Sequence, residues 1–328
     1  MDIYVVSNQP SRRTDYFIRA GESVGQTVRF ITYDELLTIL NQPEGQIIKL
    51  EPPIYQETSV LAWHRLCEEY MSLLQEIANR CSQEVFFLNR PEAILRSLDK
   101  VTTKRTLQDL SVTPVLLEKV ESFDHLHSLV SERNSSSLFL KPRFGSGAGG
   151  VMAIRRHPVK DQWTVYAPLS DSAGILSNIK HIRKITRVEE IRRLVDTICQ
   201  CGAMAEQWIP KERLEGEHYD LRVVCRSGKV EHIVVRCSNG PITNLHLNNN
   251  AKSFATLPLT EDVRQTIYRD STQAVTQTGL RYGGVDLLIG QGSGQPYIIE
   301  VNGQGDHIYD DLFRENNIYK NQIREWLS

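Results

Sequence analysis

Three patterns in this 328-residue sequence predict an α/β protein. Its first third alternates short apolar runs of strand length with helical stretches. Between residues 138 and 154, a cluster of glycines separates two apolar runs. At residues 283–302, two more apolar strands flank a Gly-rich break, and each delivers an acidic residue. The length exceeds what one hydrophobic core holds and suggests roughly two to three subdomains, the first a small α/β layer over residues 1 to about 95.

The elements follow in order. Apolar runs at 3–6, 28–31, 47–50 and 85–88 read as strands, and 15–24, 34–40 and 63–78 read as helices, a layout that favours a largely parallel sheet. Pro52-Pro53 marks a loop before the long helix. A helix starts near residue 90, with Asn89 or Arg90 near its cap and Pro91 in its first turn, and a second covers 100–110. Residues 113–205 read as shorter strands with one helix at 122–133 and an irregular polar stretch at 157–187. The basic residues there (Lys180, Arg183, Lys184 and Arg187) read as a solvated face. Strand signal resumes at Met204 and runs to Asn302, with one helix at 261–278.

Composition excludes several classes. A net charge of -2 gives no global pull toward nucleic acid or an anionic membrane. Residues 1–8 lack the basic and long apolar segments of a signal peptide, and no run is long enough to span a bilayer, so a cytoplasmic protein is expected. The 6 cysteines show one close pair, Cys199-Gln200-Cys201, with no second pair or nearby His to complete a zinc site, so reduced thiols are expected.

The acidic strands have the chemistry of a hard-metal site. In Ile299-Glu300-Val301-Asn302, alternation puts Glu300 and Asn302 on one face and turns Ile299 and Val301 to the core. A hairpin would bring Asp286 beside them. Carboxylate and amide oxygens suit Mg²⁺, which shares its remaining positions with water and phosphates. A surface hairpin with solvated acids is the competing reading.

The Gly-rich segment reads Lys141-Pro142-Arg143-Phe144-Gly145-Ser146-Gly147-Ala148-Gly149-Gly150. Glycines let backbone N–H groups turn toward an anion without a Cβ clash. Gly145, Gly147 and Gly150 fit a dinucleotide fingerprint, but that motif needs a helix next, and Val151-Met152-Ala153-Ile154 continues as strand. A protein-kinase reading fails because the lysine precedes the glycines and no H-R-D or D-F-G segment is present.

A lysine before a Gly-rich hairpin, followed later by Asp and Glu-x-Asn on adjacent strands, resembles the ATP-grasp superfamily, and within it the RimK-like glutamate ligases. The likeness covers residues 85–303 in order. Asp99-Lys100 is similar to the end of the family's first helix, and Lys141 with its glycines to the second nucleotide lysine and lid. Glu206-Gln207-Trp208-Ile209 resembles the adenine linker, and Asp220-Leu221-Arg222 the Asp-Ile-Arg strand. Thr243-Asn244-Leu245-His246 is similar to Ser-Asn-Leu-His. Gly284-Val285-Asp286 and Glu300-Val301-Asn302 complete the series. The chain departs from the family at Ile242 and Leu247, where basic residues are usual, and at Gly303 to His307, where Pro-Gly is usual.

The resemblance implies an α+β ATP-grasp architecture, with a pre-ATP-grasp α/β domain at 1–98 and two α+β subdomains clasping ATP, a central one with the Gly-rich lid at 99–205 and a C-terminal one with the metal site at 206–328. It implies a carboxylate-amine ligase that forms an acyl-phosphate and releases ADP. Lys100 and Lys141 would neutralise ATP phosphates, with Lys104 competing with Lys100 for that role. Gly145, Ser146 and Gly147 would cover them. Glu206, Gln207, Trp208 and Ile209 would frame adenine, and Asp220, in competition with Glu217, would accept from ribose. Arg222, Arg236 and Asn244 would support the transferred phosphoryl group. Asp286, Glu300 and Asn302 would hold two Mg²⁺ ions, replaceable by Mn²⁺. The partners implied are a small-molecule or peptide carboxylate and an amine. Asp306 and His307, close to the metal strand in sequence, read first as an exposed loop pair and otherwise as a selector of a cationic amine. A small-molecule kinase and a silent ATP-binding module are the alternatives, and the oligomeric state is open between monomer and homodimer.

Overall fold

A computed structural model describes residues 2–40, 45–81, 85–132, 136–145, 148–157, 159–172, 174–243, 250–304 and 315–327. The first sheet holds β1 (Asp2–Val6), β2 (Val28–Ile31), β3 (Gln46–Leu50) and β4 (Phe86–Phe87), all parallel, in the order β2-β1-β3-β4. Parallel neighbours need crossovers. These are α1 (Arg12–Ser23), α2 (Tyr33–Ile39) and α3 (Val60–Arg80). Capping boxes at Ser11 and Thr32 start α1 and α2, and Ser59 accepts from Ala62 N to start α3.

Next come α4 (Pro91–Leu98) and α5 (Lys100–Thr106). Arg90 is the N-cap residue of α4 but makes no side-chain cap bond, and Pro91 opens the helix. Asn89 has a different job. Its buried amide donates to Tyr282 O (2.8 Å) and Gly303 O (2.7 Å) and accepts from Arg281 N (2.9 Å) and Tyr282 N (3.0 Å). It thereby clamps the start of α4 onto the third sheet. Asp99 caps α5 through Val101 N and Thr102 N, and Arg143 holds the Asp99 carboxylate from outside.

The central sheet is antiparallel and contains β5 (Val115–Leu117), β6 (Ser137–Pro142), β7 (Met152–Arg156), β8 (Trp163–Ser172), β9 (Ile175–Ile185) and β10 (Ala203–Gln207), in the order β5-β10-β6-β7-β8-β9. Helices α6 (Phe123–Glu132) and α7 (Val188–Cys199) cover it. The irregular stretch expected at 157–187 is corrected: β8 and β9 form a long hairpin there. Its signal was hidden because most of β9 is half-buried or exposed on both faces, so no alternation marks it. Lys180 and Lys184 are exposed, whereas Arg183 pairs with Glu190 at 3.0 Å. Helix α7 was also missing from the expectation, although Ile191, Leu194, Val195 and Ile198 make one buried stripe. Burying each is worth about 1.5–3 kcal/mol relative to exposure.

The third sheet runs β14 (Asn250–Ser253), β13 (Lys229–Ser238), β12 (Glu217–Arg226), β15 (Tyr282–Ile289) and β16 (Pro296–Asn302), with β11 (Arg213–Leu214) on β12. Helix α8 (Glu261–Gln277) packs beneath it through Ile267, Ala274 and Val275, which join Val223, Val285 and Val301 in one core. That core continues into Leu36, Ile48 and Leu74 of the first layer. Helix α9 (Asn317–Leu327) returns to the first layer, where Ile318, Tyr319 and Ile323 bury against Ile3, Val5 and Phe17.

β15 and β16 pair Asp286 opposite Glu300, then slip by one residue so that Leu287 faces Ile298. Ile299 is the extra residue of this bulge. The expectation that Ile299 faces the core is therefore corrected, because the bulge turns it into the cavity described below, while Val301 keeps its core position. Among the described residues, all six cysteines are unbridged and no helix is long and apolar enough to cross a membrane.

Candidate functional site

The central and third sheets face each other across a cleft enclosing about 750 Å³, part of it open to solvent. Each wall contributes charge. From α5 and the central sheet come Lys100, Lys141, Gly145, Glu206 and Gln207. From the other side come Ile209, Asp220 and Arg236, with Asp286 and Glu300 at one end. These residues lie as much as two hundred positions apart in sequence, and the fold brings them to one space.

Two chains of alternating charge line this space. In the first, Lys141 pairs closely with Glu206 Oε1, while Glu206 Oε2 accepts from Thr113 Oγ1 (3.2 Å) and lies 3.6 Å from Lys104 Nζ. Burial pushes the Glu206 carboxyl up, but Lys141 and Lys104 outweigh it and hold it below the usual glutamate range. In the second, Lys211 Nζ lies 3.1 Å from Asp220 Oδ2, Arg236 Nε lies 2.6 Å from Asp220 Oδ1, and Arg236 Nη1 reaches Asp286 Oδ1 at 3.3 Å. Arg222 Nε is 2.7 Å from the same Asp286 oxygen. Arg236 and Lys211 overcome the burial of Asp220 and keep it ionised. Arg236 thus links two carboxylates.

Lys100 extends into the cavity and donates to Gly145 O at 2.8 Å. Lys104, one turn later, is 5 % exposed and bonds to Thr113 Oγ1 and Ile298 O (3.0 Å) behind the cavity wall. Of the two, Lys100 is the one that lines the cavity. Asp220 lines the cavity, whereas Glu217 pairs with Lys252 at 3.4 Å and does not.

The donor set suits a hard divalent cation. Burial raises Asp286 to about 6, helped by the adjacent Glu300 and opposed by Arg222 and Arg236. Glu300 moves the other way: burial pushes it up, but Lys100, Lys141 and Arg222 hold it well below its ordinary value. Asp286 Oδ1 is buried and accepts no hydrogen bond among the described residues, because its two arginine neighbours approach off the bonding line. Asn302 Nδ2 lies 3.3 Å from Glu300 Oε1 and 3.4 Å from Gly284 O, beside the pair. Two carboxylates and an amide fit Mg²⁺, which takes few protein ligands. Among the described residues, no group of three or more His, Cys, Asp or Glu is placed to hold a metal ion.

Other expected residues sit differently. Trp208 is 8 % exposed and packs on Phe139 at 5.3 Å with Arg155 over its ring, so it backs the wall through Phe139, which does line the cavity. The Gln207 N–H is spent on Pro114 O at 2.8 Å. Gly145 has φ of +118° and Gly150 has φ of +71°, and a Cβ at Gly150 would stand 2.7 Å from Pro142 Cγ. Ser146, Gly147, Asn244, Asp306 and His307 lie outside the described residues. Among the polar lining residues, Thr113 and Lys211 went unforeseen, and Thr243 was marked only as the first residue of the Ser-Asn-Leu-His-like motif. Lys211 donates to Thr243 Oγ1 at 2.6 Å, and Thr243 bonds Asp220, so both serve the second charge chain. The only signal for Lys211 was its position soon after the Glu206 linker.

A family model described as YheC/D-like ATP-grasp matches residues 95–327. No curated protein matches the chain. Among solved structures, the chain is similar to D-cycloserine synthetase DcsG, at 14% identity with 100% of each chain covered and a TM-score of 0.65. It is also similar to macrocyclase MdnC from Microcystis aeruginosa MRC, determined with precursor peptide MdnA, at 13% identity, 99% and 98% coverage and a TM-score of 0.61. A third is the ATP-grasp ligase PsnB, determined with a precursor variant, Mg and ADP, at 12% identity, 100% and 99% coverage and a TM-score of 0.59. At these identities the structures show a shared fold. With the family match spanning most of the sequence, the chain belongs to the YheC/D-like ATP-grasp family.

Proposed function

We propose that this protein is an ATP-dependent, ADP-forming carboxylate-amine ligase. The observation that carries the reading is the single cavity in which Lys100, Lys141, Asp286 and Glu300 converge. A substrate carboxylate attacks the γ-phosphorus of ATP to give an acyl-phosphate and ADP, and an amine then displaces phosphate to form the amide. Phosphoryl transfer needs mainly positioning and charge neutralisation, which this cavity can supply. Lys100 and Lys141 hold the phosphates as point charges. Arg222 and Arg236 stabilise charge from the metal end, and Ile209 bounds the adenine end, while the Glu206 carboxylate is taken up by Lys141 and Thr113.

Asp286, Glu300 and Asn302 would hold two Mg²⁺ ions. Such ions, held there, would supply the charge neutralisation that the phosphates of ATP need. Until it binds, Arg222 and Arg236 neutralise Asp286. Asp220 grips Arg236 and Lys211 from behind and keeps both aimed at the cavity. With each of its oxygens already engaged, it is better suited to that task than to accepting from ribose.

The likeness to RimK-like ligases supports the acyl-phosphate route. DcsG is named a synthetase, and MdnC and PsnB were determined with precursor peptides, which supports a small-molecule or peptide carboxylate and an amine as substrates. The unbridged thiols support a cytoplasmic setting. Purified protein given ATP, Mg²⁺, hydroxylamine and a panel of acids should yield a hydroxamate and ADP, and Glu300→Ala should abolish both. AMP and pyrophosphate as products would overturn the reading.

A further inference from the structure

Lys104 is a buried ammonium that the mechanism leaves unused, and its surroundings are unusually directional. It donates to Thr113 Oγ1 and to Ile298 O at 3.0 Å, and it lies 3.6 Å from Glu206 Oε2. An ammonium only donates, so the Thr113 oxygen must accept from it. The single hydroxyl proton of Thr113 then has two acceptors in reach, Glu206 Oε2 at 3.2 Å and Ile298 O at 3.5 Å. Ile298 O is already occupied by Lys104 and by Thr113 N at 2.9 Å. The proton therefore points to Glu206. With Oε2 satisfied in this way, Glu206 offers Oε1 to Lys141, which lines the cavity.

We infer that Lys104 and Thr113 are positioning residues for nucleotide binding: their one-way relay fixes the Glu206 carboxylate and so holds Lys141 toward the phosphates. The inference deepens the ligase reading and rests on the cavity being an ATP site. Without the relay, Glu206 can turn both oxygens to Lys141 and draw its ammonium from the cavity. Losing one charge-assisted contact predicts roughly tenfold weaker ATP binding. Adenosine, which has no phosphate, should be unaffected.

The test is a calorimetric titration of the full chain with ATP and, separately, with adenosine. Lys104→Met should raise the ATP Kd about tenfold and leave the adenosine Kd unchanged. Thr113→Val should move ATP alone in the same direction, and Thr113→Ser, which keeps the hydroxyl, should restore it. If Lys104→Met does not fold, the two Thr113 variants decide. Equal weakening of both ligands, or no change in either, would overturn the inference alone. A wild-type protein that binds no ATP would overturn the ligase reading and the inference with it.

Discussion

Replacing Asn89 by alanine tests how the first layer is fastened to the metal strand. The side chain is 8 % exposed and makes four hydrogen bonds with backbone groups of Arg281, Tyr282 and Gly303. Alanine removes all four and leaves two N–H and two C=O groups without their partner. A buried polar group so stranded costs about 1–3 kcal/mol, and water entering the vacated space would recover part of it. Taking about 1 kcal/mol for each group gives roughly 4 kcal/mol. For a protein of this size, that corresponds to a fall in Tm on the order of 10 °C. Amide exchange at Arg281 and Tyr282 should accelerate, because their acceptor is gone. Gly303 follows Asn302 directly, so the affinity for Mg²⁺ with ATP should also fall. Differential scanning fluorimetry and hydrogen-exchange mass spectrometry read these effects. A fall in Tm below about 2 °C with unchanged exchange at 281–282 would refute the reasoning.

Further outcomes follow from other parts of the molecule. Ala148 holds φ of +63°, a left-handed conformation that costs a non-glycine residue roughly 1–2 kcal/mol, so Ala148→Gly should raise the urea midpoint whereas Gly150→Ala should lower it. Burial lowers Lys104 from 10.5 to about 8 in the folded state. Between those values the unfolded chain binds the extra proton, so stability should rise with pH across that window. The total is about 3 kcal/mol, and a pH series of urea melts should show it in the wild type and not in Lys104→Met. Mg²⁺ with ATP at roughly a hundred times its Kd should stabilise the protein by about 2.7 kcal/mol, an increment that Asn302→Ala should reduce in a thermal-shift assay. Arg236→Met should destabilise by about 3–5 kcal/mol in urea melts, because Asp220 and Asp286 would lose the buried cation they share.

The sequence reveals what is local or periodic. Strands β1 to β3 are visible as apolar runs, and the caps at Ser11 and Thr32 sit where the pattern changes from strand to helix. The ordered motifs also led to most of the cavity, since Lys141, Glu206, Asp220, Asp286 and Glu300 all line it. What escaped depends on three-dimensional context. Lys100 and Lys104 share a helix face, and only the packing of α5 on β16 decides that one enters the cavity and the other goes behind it. Ile299 escaped because a bulge breaks the strict alternation of a strand. β9 escaped because both its faces are largely polar. Helix α7, by contrast, carries a full amphipathic stripe that periodicity alone could have found. Thr113 carries no spacing signal, since Glu206, to which it donates, lies 93 residues away.

The return of α9 to the first layer also bears on how the chain is made. Ile318, Tyr319 and Ile323 complete a core begun by Ile3, Val5 and Phe17, about three hundred residues earlier. At a synthesis rate of roughly 5–20 residues per second, the earliest strands wait on the order of 15–60 seconds for that cover. Through this interval the parallel sheet of β1 to β4 has one apolar flank exposed to solvent. A chain cut before α9 should therefore leave the first layer open to protease, and the chain that includes α9 should resist it.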